Sequence, residues 1–205
     1  MNVPAIAKRT FDQFKHQTEF IGIVQIALDH LKKLTNPILR AKFVHEAVDD
    51  FNQEVFTHPL VKQYSPCTMG CSACCHTQVS VTEDEAILLA RIIKQGLSID
   101  LNRLQHQMKA RDDDGEYYKM SFEERKCIFL KENGACGVYK DRPSVCRTNA
   151  VIGEASQCDT TNGVGKTHLI KTPKADMIIY ASFYDAKSSG ALPHMVAKAL
   201  GLKVS

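Results

Sequence analysis

The sequence predicts a mainly α protein in which helical flanks surround an irregular, cysteine-rich core that contains a small β-hairpin. In both flanks apolar residues recur at steps of three and four, which is the spacing of one helix face. All eight cysteines lie between Cys67 and Cys158, in a segment that also carries the signals of a tight turn. We expect an N-terminal helical hairpin at residues 1–60, a cysteine-cluster domain at residues 61–170 and C-terminal helices of the same globule at residues 171–205.

Composition and charge limit the class of protein. The 205 residues carry 26 basic and 23 acidic side chains, and a net charge of +3 indicates neither a nucleic-acid partner nor an anionic membrane surface. No apolar run approaches the roughly 20 residues that span a bilayer. The segment from Met1 to Thr10 lacks the apolar stretch of a signal peptide. We therefore expect a soluble, cytoplasmic protein.

The N-terminal third predicts two helices joined by a short link. Thr10 and Gln13 have the spacing of a capping box at the start of the first helix. Asn36 followed by Pro37 predicts the cap and first turn of the second helix. Both helices carry an apolar stripe that indicates core packing, and the short link predicts an antiparallel hairpin. The stripes consist of Phe11, Phe14, Ile21, Val24, Leu28 and Leu31, and of Ala41, Val44, Val48, Phe51 and Val55.

Further helices are predicted on both sides of the cysteine-rich segment. Thr82 and Glu85 form a second capping box, and Gly96 is the expected end of the helix that follows. Ser98 is the expected cap of another helix. Thr172 followed by Pro173 predicts the start of the C-terminal helices.

A hairpin and a helical turn are predicted after the first cysteines. The segment from Cys127 to Tyr139 predicts a small hairpin, because Asn133-Gly134 at its centre favours the positive backbone angle of a tight turn. Asp141-Arg142-Pro143 then predicts a short helical turn that ends near Arg147.

The cysteine spacing indicates a metal site formed by two separated stretches. Four thiols fall within Cys67–Cys75, and Cys127, Cys136, Cys146 and Cys158 follow. In a reducing compartment clustered thiols more often bind metal than form disulfides. Neighbouring thiolates repel one another, and a bound cation removes that repulsion. Any one of these cysteines could instead be a buried apolar residue.

The cysteines leave two kinds of metal centre open. Structural zinc prefers paired C-x2-C units, and in the first block Cys71 and Cys74 alone have that spacing. The C-x3-C-x2-C spacing of Cys67, Cys71 and Cys74 also occurs in loops that hold a 4Fe–4S cluster. An all-sulfur ligand set favours iron–sulfur over zinc. Since adjacent Cys74 and Cys75 should point in different directions, the eight thiols could serve two sites or one cluster with spare thiols.

The two cysteine blocks together resemble the signature of a known family. Their order is similar to that of the YkgJ-like cysteine-cluster family, also called the CxxCxxCC family of zinc- or iron-chelating proteins. This resemblance covers about half of the chain and implies a metal-chelating domain. The matching residues are Cys67 to Cys75, Cys127-Ile-Phe-Leu130, Gly134-Ala-Cys136, Val138-Tyr139, Arg142-Pro143, Cys146-Arg147, Cys158, Gly163 and Gly165-Lys166.

Three further residues of these blocks are expected to act on a bound centre. Tyr139 can cover a cluster and donate a hydrogen bond. Arg142 and Arg147 can donate to cysteine sulfurs and offset the negative charge of several thiolates. Alternatively, both arginines could pair with acidic residues such as Asp141 or Asp159.

Two classes of function follow from these features. The first is a metal-binding module whose centre has a structural, redox or electron-transfer role, with a possible protein partner or substrate. The second is an enzyme, because the cysteine signature also resembles that of flagellin lysine N-methylase, which implies methyl transfer from S-adenosylmethionine to a protein lysine. No Gly-rich cofactor fingerprint follows a predicted strand. A zinc-stabilised nucleic-acid binder is disfavoured by the balanced charge. His76 and His168 are minor ligand candidates.

Overall fold

The fold is mainly α, as predicted, in a computed structural model that describes residues 3–68, 70–112, 114–161 and 167–203. No helix in these ranges is long and apolar enough to cross a bilayer. Short strands form antiparallel pairs, β1 (Ser80–Thr82) with β4 (Ser189–Ala191) and β2 (Val151–Ile152) with β3 (His168–Leu169). The helices are α1 (Ala5–Phe14), α2 (Thr18–Lys33), α3 (Pro37–Thr57), α4 (Pro59–Tyr64), α5 (Glu83–Lys94), α6 (Leu101–Gln107), α7 (Asp114–Lys119), α8 (Ser144–Thr148), α9 (Pro173–Asp185) and α10 (Leu192–Leu200).

The first predicted helix is in fact two helices, α1 and α2, which are separated at residues 15–17. The predicted capping box at Thr10 is wrong, because Thr10 lies inside α1. Its hydroxyl donates a 2.8 Å hydrogen bond to Oδ2 of Asp176 in α9, a partner that is far away in the sequence. Burial raises the pKa of Asp176 to about 6, and the hydrogen bond from Thr10 opposes that shift.

The larger core is built around α9. Helices α1, α2 and α3 all pack on α9, whose Met177, Ile179 and Phe183 are almost fully buried. The predicted stripes of α2 and α3 therefore pack chiefly on α9, and the two helices touch one another through the stacked rings of His30 and Phe43. A simple N-terminal hairpin is thus not what the chain forms. The predicted cap at Asn36 is confirmed by its side-chain oxygen, which accepts from a backbone N–H in the first turn of α3.

A second core joins α5, α6 and α10 to the cysteine-rich segment. Ile128 and Phe129, which directly follow Cys127, are buried in this core. The helix α6 begins after Asp100, whose carboxylate accepts from Arg103 N–H, so the prediction of Ser98 as its cap is wrong. The cysteine loops are therefore anchored by apolar side chains that lie next to their thiols.

Glu85 connects the helices that surround the cysteine loops. The predicted capping box is confirmed, since Glu85 accepts from Thr82 N–H and Thr82 accepts from Glu85 N–H. The same buried carboxylate accepts from Ser144 N–H at 2.7 Å and lies 3.2 Å from His45 Nε2. Burial raises the pKa of Glu85, but the bonds from His45, Ser144 and Thr82 outweigh it, so the pKa lies below its ordinary value. Glu85 thereby fixes α8, the helix that carries Cys146, to α3 and α5.

Candidate metal centre

The first cysteine block is folded by tight turns. Cys71 N–H donates to Thr68 O at 3.0 Å, and a 3-10 turn spans Ala73–His76. Gly70 has a φ of +90°, a value that side chains other than glycine rarely adopt. All eight cysteines of the protein are free; Cys67 and Cys74 are exposed residues and the other six are half-buried.

The second block contains the predicted turn but little regular strand. Gly134 has a φ of +77°, and Lys131 N–H donates to Ala135 O across the turn at 2.9 Å. An antiparallel bridge joins Leu130 to Cys136. The predicted hairpin is thus a tight turn closed by a bridge, with short irregular arms in place of two regular strands.

The two blocks contact one another through their backbones. Cys127 N–H donates a 2.7 Å hydrogen bond to Cys75 O, which joins residues that are 52 positions apart. A Cβ atom added to Gly134 would lie only 2.7 Å from Gly70 O. The turn of the second block therefore rests on the loop of the first. The convergence expected from the spacing of the cysteines is present in the fold.

Cys74 and Cys75 face one another, contrary to the expectation that adjacent side chains point apart. The hydrogen bond from the Cys75 thiol lowers the pKa of Cys74 to about 7 and raises that of Cys75. The irregular turn that carries both residues brings their sulfurs together. Cys74 is therefore the thiol of this pair that ionises more readily.

The Cys74 thiol also lies beside the second block. Burial raises the pKa of Cys127 to about 11 and raises the pKa of Cys136 and Cys146. The charge of Cys74 adds to the rise in the pKa of each of these three thiols. Thiols from both blocks thus share one neighbourhood in which their negative charges repel.

Cys158 lies near the first cysteine block. The 3-10 turn Ala155–Cys158 packs on the turn of the first block. Burial raises the pKa of Cys158, and the charges of Cys67, Cys71 and Cys74 raise it further. Gly163 and Gly165-Lys166, the rest of the late motif, lie outside the described residues.

Arg142 lies among the thiols. Its guanidinium stacks on the ring of Tyr139 at 4.4 Å from the ring centroid. Its positive charge lowers the pKa of Cys74, Cys136 and Cys146, against the effects of burial and neighbouring thiolates. Tyr139 is 57% exposed, so it forms the outer layer over Arg142.

Arg147 is bound to groups other than the sulfurs. Its guanidinium pairs with Asp49 of α3 and donates to Arg142 O at 3.0 Å and to Lys140 O at 2.6 Å. Arg147 therefore forms an ion pair, as the alternative predicted, but its partner is Asp49 and not Asp141 or Asp159. A donor role toward sulfur is not supported for Arg147, because its three nitrogens have these other partners. Arg147 instead holds the Cys146 segment against α3.

The two histidine candidates differ in their surroundings. His76 is buried, its Nδ1 donates to Phe122 O at 2.9 Å, and its ring stacks on Phe122. His168 is exposed on β3. His76 therefore anchors the segment that leads to Cys127.

Sequence reasoning missed three buried side chains that hold the residues just before Cys127. Gln107 donates to Glu124 O and to Lys126 O at 2.6 and 2.8 Å, and Tyr117 donates to Arg125 O at 2.8 Å. Arg125 itself is 3% exposed. The local run of charged residues resembles an ordinary solvated turn, so the sequence carries no signal for this arrangement.

The donors fit a soft metal, although their side chains do not enclose an ion as they stand. Within the described ranges, no group of three or more His, Cys, Asp and Glu side chains has the arrangement of a metal site. The thiols of the two blocks nevertheless raise one another's pKa, because their negative charges repel. A thiophilic cation would remove that repulsion.

Comparison with known proteins agrees with the geometry. Searches of curated proteins and of solved structures found no match. The sequence model of the CxxCxxCC family, described as a putative zinc- or iron-chelating domain, matches residues 66–166, about half of the chain. The match begins just before Cys67 and contains both cysteine blocks and Cys158. This part of the chain therefore belongs to the CxxCxxCC family.

Proposed function

We propose that the protein binds a thiolate-ligated metal centre, an iron–sulfur cluster in preference to zinc, with a structural, redox or electron-transfer role. The cysteines at 67, 71, 74, 75, 127, 136, 146 and 158 are the proposed ligand set. The observation that carries this proposal is the 2.7 Å backbone bond from Cys127 to Cys75, which joins the two blocks.

The chemistry of the donors supports iron–sulfur over zinc. The converging donors are thiols, and soft thiolates suit iron–sulfur clusters as well as zinc. The charge of Cys74 acts on five other thiols, those of Cys75, Cys127, Cys136, Cys146 and Cys158. This set of thiols is larger than the four ligands of one tetrahedral zinc ion. The cationic Arg142 beside the sulfurs would offset the net negative charge of a loaded centre.

Metal analysis of protein prepared without oxygen tests this proposal. We expect bound iron and acid-labile sulfide, with a visible absorption that bleaches in air. Colourless protein with stoichiometric zinc would replace the iron–sulfur part of the proposal by zinc. Protein that binds neither metal after anaerobic reconstitution would overturn it.

Calorimetry separates this function from methyl transfer. A metal module without a cofactor site should give no heat with S-adenosylmethionine. Saturable binding of S-adenosylmethionine would support the enzyme related to flagellin lysine N-methylase instead.

A further inference from the structure

Arg125 is a buried cation next to the cysteine loops. Its side chain lies 3% exposed between the rings of Tyr118 and Phe122, with the guanidinium carbon 5.1 and 5.7 Å from their centroids. In the described part of the chain, no carboxylate lies within ion-pair distance of Arg125. Arginine stays charged in proteins, so this positive charge is buried without an anionic partner among residues 3–68, 70–112, 114–161 and 167–203. The two ring faces compensate only part of that cost.

The hydrogen bonds of Arg125 join two cysteine-bearing loops. Nη2 donates to Thr160 O at 2.9 Å, two residues after Cys158. Nη1 lies 3.5 Å from the carbonyl of His76, which directly follows Cys75. Nε is buried and has no partner among the described residues. One guanidinium therefore spans the end of the first block and the late cysteine, and it retains an unused donor.

The surroundings of Tyr117 show that this cation and the thiols share one region. Tyr117 donates to Arg125 O at 2.8 Å. Burial raises the pKa of Tyr117, the charges of Cys127 and Cys75 raise it further, and the charge of Arg125 lowers it. The charges of thiols from both blocks and of the guanidinium thus all act on the same buried hydroxyl.

We propose that Arg125 is a positioning residue of the metal site, which ties the Cys75 and Cys158 loops together and supplies a buried positive charge that the thiolates of the loaded centre neutralise. This inference rests on the proposed function, because the negative charge that Arg125 would meet is that of thiolates bound to the metal. The proposal implies that the loaded centre is anionic. Arg125 then has opposite effects on the stability of the metal-free and the metal-loaded protein. The buried cation destabilises the metal-free form and stabilises the loaded form.

Zinc binding under reducing, oxygen-free conditions provides the test, with a competing chelator to measure affinity and thermal unfolding to measure stability. In Arg125→Gln we expect a smaller loss of melting temperature without zinc than with zinc, and a zinc affinity reduced on the order of tenfold. Arg125→Lys keeps the charge but loses the planar fork, so its affinity should fall between those of Arg125→Gln and the unaltered protein. Arg91→Gln is the matched control, since Arg91 is an exposed arginine on α5, and it should change neither quantity.

Three outcomes would overturn the inference. The first is a zinc affinity of Arg125→Gln equal to that of the unaltered protein. The second is an equal loss of melting temperature with and without zinc, which would show a purely structural role. The third is failure of Arg125→Gln to fold without metal. Absence of both zinc and iron binding in the unaltered protein would instead refute the proposed function.

Discussion

Replacement of Gly134 by alanine tests the contact between the two cysteine blocks. Gly134 has a φ of +77°, and in this left-handed region an L-residue pays roughly 1–2 kcal/mol. The new Cβ would also lie 2.7 Å from Gly70 O and 3.5 Å from Gly70 C, both of which are backbone atoms. The turn of the second block must therefore move away from the loop of the first.

The two contributions can be separated with a matched glycine. Gly201 has a φ of +81° and nothing within 4 Å of an added Cβ, so Gly201→Ala measures backbone strain alone. We expect Gly201→Ala to lower the free energy of unfolding by about 1–2 kcal/mol. Gly134→Ala adds an overpacking cost of about 1–3 kcal/mol, so its total loss should be about 2–5 kcal/mol.

Urea unfolding of the reduced, metal-free variants gives the two free energies, and elemental analysis of anaerobically purified protein gives their metal content. Gly134→Ala should lose more stability than Gly201→Ala and should also lose bound metal, because the first block is displaced. Equal stability losses together with unchanged metal content would refute the role given to this contact.

Three further predictions concern a ligand, a buried acid and a helix cap. Cys74→Ser should reduce metal content more than Cys67→Ser, because the charge of Cys74 acts on five other thiols of both blocks; the opposite order would contradict the proposed centre. The pKa of Asp176 is raised from 3.8 to about 6 in the fold, so its protonated form contributes stability that is complete below pH 3.8 and lost as the pH rises through 6. Asp176→Asn should remove that decline, on the order of 3 kcal/mol, from pH-dependent unfolding curves, and an unchanged slope would count against it. Thr82→Ala should cost about 1 kcal/mol in the free energy of unfolding, whereas Thr82→Ser keeps the hydroxyl and should cost less; equal losses would exclude the cap as the cause.

Local hydrogen bonding explains which helix predictions succeeded. The caps at Asn36 and Thr82 are confirmed because their bonds close within three residues, inside the span of the motif itself. Thr10 has an equally good local motif, but its hydroxyl bonds to Asp176, 166 residues away. A pattern of neighbouring residues carries no information about such a partner.

The arginines show the same limit at the site. Arg142 and Arg147 stand in equivalent R-P and C-R motifs, and the sequence assigned both the same alternatives. In the fold the charge of Arg142 acts on three thiols, whereas Arg147 is bound to Asp49 and two carbonyl groups. Arg125 lies in a run of charged residues and is nevertheless buried, because Tyr118 and Phe122 cover its guanidinium.

Residue types and their spacing by themselves determined that this is a mainly α protein with a metal-chelating cysteine domain, because helix faces, caps, tight turns and thiol clusters are encoded within a few neighbouring positions. Only the tertiary structure decided that α9 organises the N-terminal helices, that Cys127 bonds to Cys75, and that Arg125 is buried with bonds to the Cys75 and Cys158 loops. These features join segments many residues apart. Their energies come from burial and from bonds between distant groups, which exist only once the chain has folded.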